Sequence, residues 1–311
     1  MKLLITPAFI PSEKEKEILL AEHELFFIED GRIPLSGQKV NFSPEEIEGI
    51  ICNFFFEHNA VELFPSLKFV QLTSVGTDRV PADALQSRGI ALFNAGSVYA
   101  VPMAEWTIAK ILEVYKQSAF FAGNQKEKNW QKSRSVRELA ASRAAIIGFG
   151  NVGKQIAKRL KAFDVTIHAV DIIEYKGLLC DTWSHISELQ EVLKDADIVI
   201  LSLPLNEKTY HLFDETMFGA MKKDAVLVNN SRGAILDETA LAAVLKSGYL
   251  KAAVLDTFEK EPLPPESPLW GMENVLISPH NSFVGNGNHV RLFQLICENL
   301  KKFDKMAANG R

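Results

Sequence analysis

The chain has 311 residues, 47% of them hydrophobic, a formal net charge of −5 and three cysteines. That length exceeds the usual size of one hydrophobic core, so one or two packed domains are expected. Its weak acidity gives no reason to expect nucleic acid or an anionic membrane as a partner, and Cys52, Cys180 and Cys297 lack metal-ligand spacing.

The cysteines, odd in number and widely spaced, read as reduced, mostly buried thiols of a cytoplasmic protein. Met1-Lys-Leu-Leu-Ile-Thr-Pro7 is too short an apolar run for a signal peptide, and no run is long enough to span a membrane.

In chain order, Leu3–Ile5 is a strand candidate and Ser12–Leu20 a charged, capped helix. Further strands are expected at Ile47–Cys52, Leu67–Leu72 and Ile90–Phe93, followed by Asn53-Phe-Phe-Phe56, Thr73-Ser-Val-Gly-Thr-Asp78 and Asn94-Ala-Gly-Ser97. Strands alternating with helices imply a parallel sheet, whose ligands gather beyond the carboxyl ends of the strands. The loops at 53–56, 74–78 and 94–99 therefore share one edge, although plain turn chemistry accounts for each taken alone.

A long helix runs from Val101 to about Gln117, and a polar stretch from Gly123 to Arg137 links it onward. Ala144-Ala-Ile-Ile-Gly148-Phe-Gly150-Asn-Val-Gly153-Lys then reads as strand, tight turn and helix start. Gly148, Gly150 and Gly153 fit G-x-G-x-x-G: one glycine for the turn, one for approach of a pyrophosphate, one for helix–strand packing. A diphosphate would sit on the free N–H groups of the helix start, at Asn151 and Val152. Val152, Ile156, Leu160 and Phe163 continue the helix as an apolar stripe. Val165–Val170 is a second strand, and Asp171, eighteen positions past Gly153, stands where such a site holds the adenosine ribose hydroxyls. No arginine follows Asp171 to receive a 2′-phosphate, so the cofactor expected is NAD rather than NADP.

The remaining strands, Asp197–Leu203, Ala225–Asn229, Ala252–Asp256 and Val275–Ile277, complete a doubly wound sheet. Their ends carry Leu203-Pro-Leu-Asn206, Asn229-Asn-Ser-Arg232, Asp256-Thr-Phe-Glu-Lys-Glu261 and Ser278-Pro-His280. Individually Arg232 reads as a surface charge, Glu261 as a solvated acid and His280 as a loop histidine. Together they converge on the edge where the dinucleotide lies. Reduction of a 2-keto acid needs such a set. Arg232 offers a planar cationic fork for the carboxylate. His280 offers a proton to the forming alkoxide. Glu261 would fix the imidazole tautomer and favour its protonated form.

With these residues in hand, the chain resembles the D-isomer-specific 2-hydroxyacid dehydrogenase family over essentially its whole length. The motifs that carry the resemblance are Gly148-Phe-Gly-Asn-Val-Gly153 with Asp171, Leu203-Pro-Leu-Asn-Glu-Lys-Thr209, Val228-Asn-Asn-Ser-Arg-Gly233, Leu255-Asp-Thr-Phe-Glu-Lys-Glu-Pro262 and Ser278-Pro-His280. The resemblance implies two doubly wound parallel-sheet α/β domains. A Rossmann NAD-binding domain, 99–280, is inserted into a flavodoxin-like substrate domain formed by 1–98 and 281–311. It assigns Arg232 to the substrate, His280 to acid/base work and Glu261 to His280. Leu203, Pro204, Thr209 and Asn230 go to the cofactor, Asp256 to the nicotinamide carboxamide, and the backbone at Val75 and Gly76 to the substrate carboxylate. Members are usually homodimers joined through the nucleotide domain, which makes 101–140 the expected interface. The expected substrate is a small unphosphorylated 2-keto or 2-hydroxy acid, because Phe54, Phe55 and Phe56 stand where relatives handling phosphorylated substrates usually carry a cation. The alternatives are phosphoglycerate dehydrogenase-type activity and an NADH-sensing corepressor-like binding role. Formate dehydrogenases of the superfamily carry glutamine at the place of Glu261, which counts against that activity. Asn281-Ser-Phe-Val-Gly285 departs from the small residues usual after the histidine.

Overall fold

Short apolar runs with no polar alternation suit strands buried on both faces, and here they build two all-parallel sheets. The computed structural model describes residues 1–77 and 79–309. Asp78, the end of the expected 74–78 loop, lies outside the described residues. The chain divides into two compact units, Met1–Val98 with Asn286–Arg311, and Tyr99–Gly285.

Among the described residues, the first unit carries five strands: β1 (Lys2–Ile5), β2 (Glu24–Phe27), β3 (Gly49–Cys52), β4 (Phe69–Leu72) and β5 (Ala91–Phe93). Their order is β2-β1-β3-β4-β5, the flavodoxin-like arrangement whose direction of winding reverses between β1 and β3. β3 and β4 are buried along their whole length. The helix Asn288–Asn309 returns the chain to this sheet, with Ile296 and Leu300 buried and Phe303 packed edge-on to Phe69 at 5.5 Å.

The second unit adds β6 (Arg143–Ile147), β7 (Thr166–Asp171), β8 (Thr182–His185), β9 (Ile198–Leu201), β10 (Val226–Asn229), β11 (Ala252–Leu255) and β12 (Val275–Ile277). The order β12-β11-β10-β9-β6-β7-β8 is the Rossmann pattern with one further strand, and the winding reverses at β6. The helix Asn151–Lys161 buries Ile156 and Leu160 against the sheet and shares a core with Ala104, Ile108 and Ile111 of the helix Ala100–Tyr115. Fully burying side chains such as Ile156 and Leu160 contributes about 1.5–3 kcal/mol each relative to exposure.

Several elements differ from expectation. β2 and β8 have no counterpart in the sequence reading, because both are edge strands with mixed burial and weak apolar character. The polar link after the long helix begins with a second helix, Ser118–Lys126, entered through Gln117 in the left-handed region (φ 54°). Phe163 lies past the helix end at Lys161 and is 37% exposed, so the apolar stripe stops at Leu160. Of the cysteines only Cys52 is buried, and burial pushes its thiol far up from the ordinary range; Cys180 and Cys297 are half-buried. Residues 281–285 belong to the second unit rather than the first. The reason is Asp256, whose carboxylate accepts the amides of Asn281 (2.8 Å) and Ser282 (3.0 and 3.1 Å) and ties that turn to β11.

Candidate active site

The glycine turn joins β6 to its helix at the point where the sheet order reverses. Gly148 has φ +91°, and a Cβ on it would overlap the carbonyl of Ser202, so only glycine lets this turn lie against the end of β9 and Leu203. A Cβ on Gly153 would overlap the Gly148 carbonyl, whereas one on Gly150 would meet open space. The helix start at Gly150 carries no side-chain cap, leaving the amides of its first turn, from Asn151 and Val152 onward, without a side-chain acceptor. An uncapped helix start behind an open glycine is a cradle for an anion, and it fits the pyrophosphate of a dinucleotide.

Asp171 closes β7 beside this turn. Its Oδ2 accepts the Phe149 amide at 2.6 Å, and its Oδ1 accepts those of Ile172 (2.7 Å) and Ile173 (3.2 Å). The acid is thus oriented by backbone donors at the rim of the cradle. Lys176, a cation in the following turn, pairs with Glu174 at 3.4 Å.

Further along the same carboxyl edge, Leu203 and Pro204 follow β9. Thr209 closes their loop: its hydroxyl donates to the Pro204 carbonyl (2.7 Å) and accepts the Asn206 amide (2.8 Å). Asn230, past β10, is 2% exposed and donates from Nδ2 to Thr107 Oγ1 at 2.7 Å, while its Oδ1 has no partner among the described residues. Asn229 shapes the neighbouring turn by accepting from Ser231 and donating to the Arg232 carbonyl. Asp256 is fully buried and serves first as the holder of the 281–282 turn.

β10, β11 and β12 are adjacent, with Asn229 opposite Leu255 and Leu255 opposite Ile277. Arg232, Glu261 and His280 therefore follow three neighbouring strand ends. His280 Nδ1 lies 2.8 Å from Glu261 Oε2, and the two side chains are 38% and 36% exposed. Glu261 Oε1 accepts the Phe258 amide at 3.1 Å, which fixes the carboxylate plane; the Glu261–Pro262 peptide is cis. His280 occupies the left-handed region at φ 51°, a costly conformation for a non-glycine residue. It is held there by its own amide on the Asp256 carbonyl (2.8 Å) and by the Asp256 carboxylate on the two amides that follow. Phe283 packs edge-on to the His280 ring at 6.0 Å and to Tyr99 at 5.7 Å. Half-buried Arg232 donates to the Ser231 carbonyl at 2.9 Å.

In the first unit, the loop after β4 exposes Val75, whose carbonyl accepts from Asn94 Nδ2 (2.8 Å), and the Gly76 carbonyl accepts the Ser74 hydroxyl (3.0 Å). After β3, Phe55 and Phe56 turn into the core and only Phe54 stays half-exposed. The Arg79 guanidinium stacks on Phe54 at 4.3 Å and lies 3.8 Å from Glu57.

Residues that sequence reasoning missed are Thr107, Asn229, Glu238, Glu259 and Ser282. Thr107, Glu238, Glu259 and Ser282 act through contacts distant in the chain, which no local pattern marks, and Asn229 acts on its own turn through Ser231 and Arg232.

Residues 108–282, more than half of the chain, match the family described as D-isomer specific 2-hydroxyacid dehydrogenase, NAD binding domain. A glyoxylate reductase of Thermofilum pendens is 33% identical over 76% of this chain and 71% of its own length. Glyoxylate/hydroxypyruvate reductase B of Yersinia pestis is 30% identical over 87% of this chain and 84% of its own. The solved NADPH-dependent glyoxylate/hydroxypyruvate reductase of Sinorhizobium meliloti superposes with a TM-score of 0.79 at 25% identity, covering 97% of this chain and 94% of that one. The chain therefore belongs to the D-isomer specific 2-hydroxyacid dehydrogenase family, NAD(P)-dependent oxidoreductases that act on a CH–OH carbon, with its NAD binding domain matched at residues 108–282.

Proposed function

We propose that this chain interconverts a small unphosphorylated 2-keto acid and its D-2-hydroxy acid, with His280 as acid/base, Glu261 as its partner and Arg232 on the substrate carboxylate. The observation that carries the reading is the 2.8 Å pair between His280 Nδ1 and Glu261 Oε2 beside the Arg232 strand end. When bound, the nicotinamide supplies the hydride that C2 of the keto acid accepts. Glu261 takes the Nδ1–H and stabilises the imidazolium, so Nε2 is free to give its proton to the keto oxygen. Arg232 anchors the carboxylate and polarises the C2 carbonyl, aided by the backbone at Val75 and Gly76. The cradle of Gly148, Gly150, Asn151, Val152 and Gly153 takes the pyrophosphate. Leu203, Pro204, Thr209 and Asn230 add further contacts to the cofactor, and Asp256 meets the nicotinamide carboxamide.

Phe120 and Phe121 of the helix Ser118–Lys126 are 38% and 40% exposed and Trp130 is 95% exposed, an apolar surface that supports a homodimer through the 101–140 region. Three free cysteines support a cytoplasmic location. Among the described residues, no helix is long and apolar enough to cross a membrane.

NADH is the expected coenzyme. Asp171 accepts from ribose hydroxyls but repels a 2′-phosphate, and Lys176 is already paired. Asp171→Ser should narrow the NADH preference in kcat/KM by roughly ten-fold, about 1.4 kcal/mol of repulsion relieved, which lies between the values for a charge pair in water and at a protein surface. Equal efficiency of the wild type with both coenzymes would remove Asp171 from this role.

On the substrate side, Arg79 is neutralised by Glu57 and stacked on Phe54, which leaves no free cation in that loop pair among the described residues. Glyoxylate, hydroxypyruvate and pyruvate should therefore be reduced with higher kcat/KM than phosphohydroxypyruvate. Following NADH absorbance with these acids decides the point. A clear advantage for the phosphorylated acid would show a phosphoglycerate-type pocket. NADH binding with no turnover on any acid would favour the corepressor-like role.

A further inference from the structure

We infer that Glu238 is a positioning residue for the acid/base pair: its carboxylate holds the amide of Glu259, and through that loop it aims Glu261 at His280. The inference rests on the roles of Glu261 and His280 proposed above.

Glu238 opens the helix Glu238–Lys246, just past Arg232 and Gly233. Its carboxylate is not needed to start that helix, because Asp237 already accepts the amides of Thr239 and Ala240. Instead, Glu238 Oε1 accepts the Glu259 amide at 2.6 Å, and Glu259 Oε1 accepts the Glu238 amide at 3.0 Å. These reciprocal bonds clip the helix start to the loop after β11. The clip works because Gly233 lies flat on that loop; a Cβ there would overlap the Phe258 carbonyl and the Glu259 nitrogen. The Phe258–Glu259 peptide is thus fixed from both sides. The amide of Phe258 in turn holds Glu261 Oε1, and Oε2 of the same carboxylate meets His280. Two hydrogen-bonded stretches joined covalently through the backbone of Phe258 therefore run from Glu238 to the imidazole.

The location is unfavourable for a third acid. Burial raises the Glu238 carboxyl above its usual range, opposed by its bond to the Glu259 amide and aided by the charges of Glu259 and Glu261. The facing side chain is His211, whose Nε2 lies 3.2 Å from Glu259 Oε1 and not on Glu238 itself. What this acid supplies is reach to the Glu259 amide.

Three variants test this, with His280→Ala measured alongside. Glu238→Gln keeps an oxygen acceptor at the same reach without charge. Glu238→Asp keeps the charge but falls one methylene short, and Glu238→Ala removes both. Glu238→Asp and Glu238→Ala should lose roughly 10- to 100-fold in kcat for keto-acid reduction, the scale of a misplaced catalytic group. In both, the alkaline limb of the rate profile should move to lower pH, because a loosened Glu261 stabilises the imidazolium less, while the NADH dissociation constant holds. Glu238→Gln should recover most of the loss. A merely structural role would lower the melting temperature and leave the limb in place. Wild-type kcat and limb in Glu238→Asp, or a Glu238→Gln as impaired as Glu238→Asp, would overturn the inference. If His280→Ala loses turnover and the Glu238 variants do not, this inference alone falls. If His280→Ala keeps full turnover, the proposed acid/base pair falls and this inference with it.

Discussion

Replacing His280 with alanine is expected to cut turnover by roughly 10²–10⁴-fold, about 3–5.5 kcal/mol of barrier, while NADH still binds. The expectation follows from position. His280 hangs from the turn after β12, whereas the glycine cradle and Asp171 hang from β6 and β7, with β9, β10 and β11 between. Removing the imidazole therefore takes away the proposed proton donor and leaves the groups proposed to hold the pyrophosphate and ribose untouched. Stopped-flow turnover with NADH binding followed by fluorescence checks both halves. A His280→Ala variant at near wild-type rate would end the acid/base assignment.

Glu261→Gln tests the same pair through pH. Reduction consumes a proton, so the donor must be an imidazolium and the rate falls on the alkaline side. Glu261 Oε2, 2.8 Å from Nδ1, stabilises that cation. Without the carboxylate charge the cation is lost at lower pH, so the alkaline limb should move downward. An unmoved limb would detach Glu261 from the mechanism.

The second large effect is expected at Asp256, as a loss of both stability and rate. Its side chain is fully buried, and its two oxygens accept the Asn281 and Ser282 amides at 2.8–3.1 Å. Asparagine is the same size but offers one acceptor. Its NH2 would face a backbone N–H at a distance fit only for an acceptor. Losing the Oδ2 bond of Ser282 and setting an NH2 against that buried N–H costs about 1–3 kcal/mol, which lowers the melting temperature by roughly 2–4 °C per kcal/mol in a protein of this size. Turnover should fall as well, because the same carboxylate holds the turn in which His280 keeps φ 51°. Asp256→Asn with wild-type melting and wild-type kcat would show that the turn is held by something else.

The sequence by itself determined the chemistry-bearing parts whose geometry is local. Gly148, Gly150 and Gly153 had to form the turn because strand, turn and helix start are consecutive and the steric demand at Gly148 is a backbone demand. Asp171 ends its strand, and Arg232, Glu261 and His280 each stand a few residues past an apolar run that reads as a strand. Once the strands are parallel, their carboxyl ends share an edge, so convergence of these residues was legible before any coordinate.

Only the tertiary structure decided the rest. The edge strands β2 and β8 draw their strand character from a neighbour's hydrogen bonds, which no run of side chains encodes. Which of Phe54, Phe55 and Phe56 stays at the surface depends on the core beneath them and on Arg79, more than twenty positions away. The bonds from Asp256 to the 281–282 turn, between Glu238 and Glu259, and from Asn230 to Thr107 join positions 21 to 123 residues apart. Hydrogen-bond partners at such separations are chosen by how strands stack and loops meet. A linear pattern therefore locates the groups proposed to react, and folding chooses what holds them still.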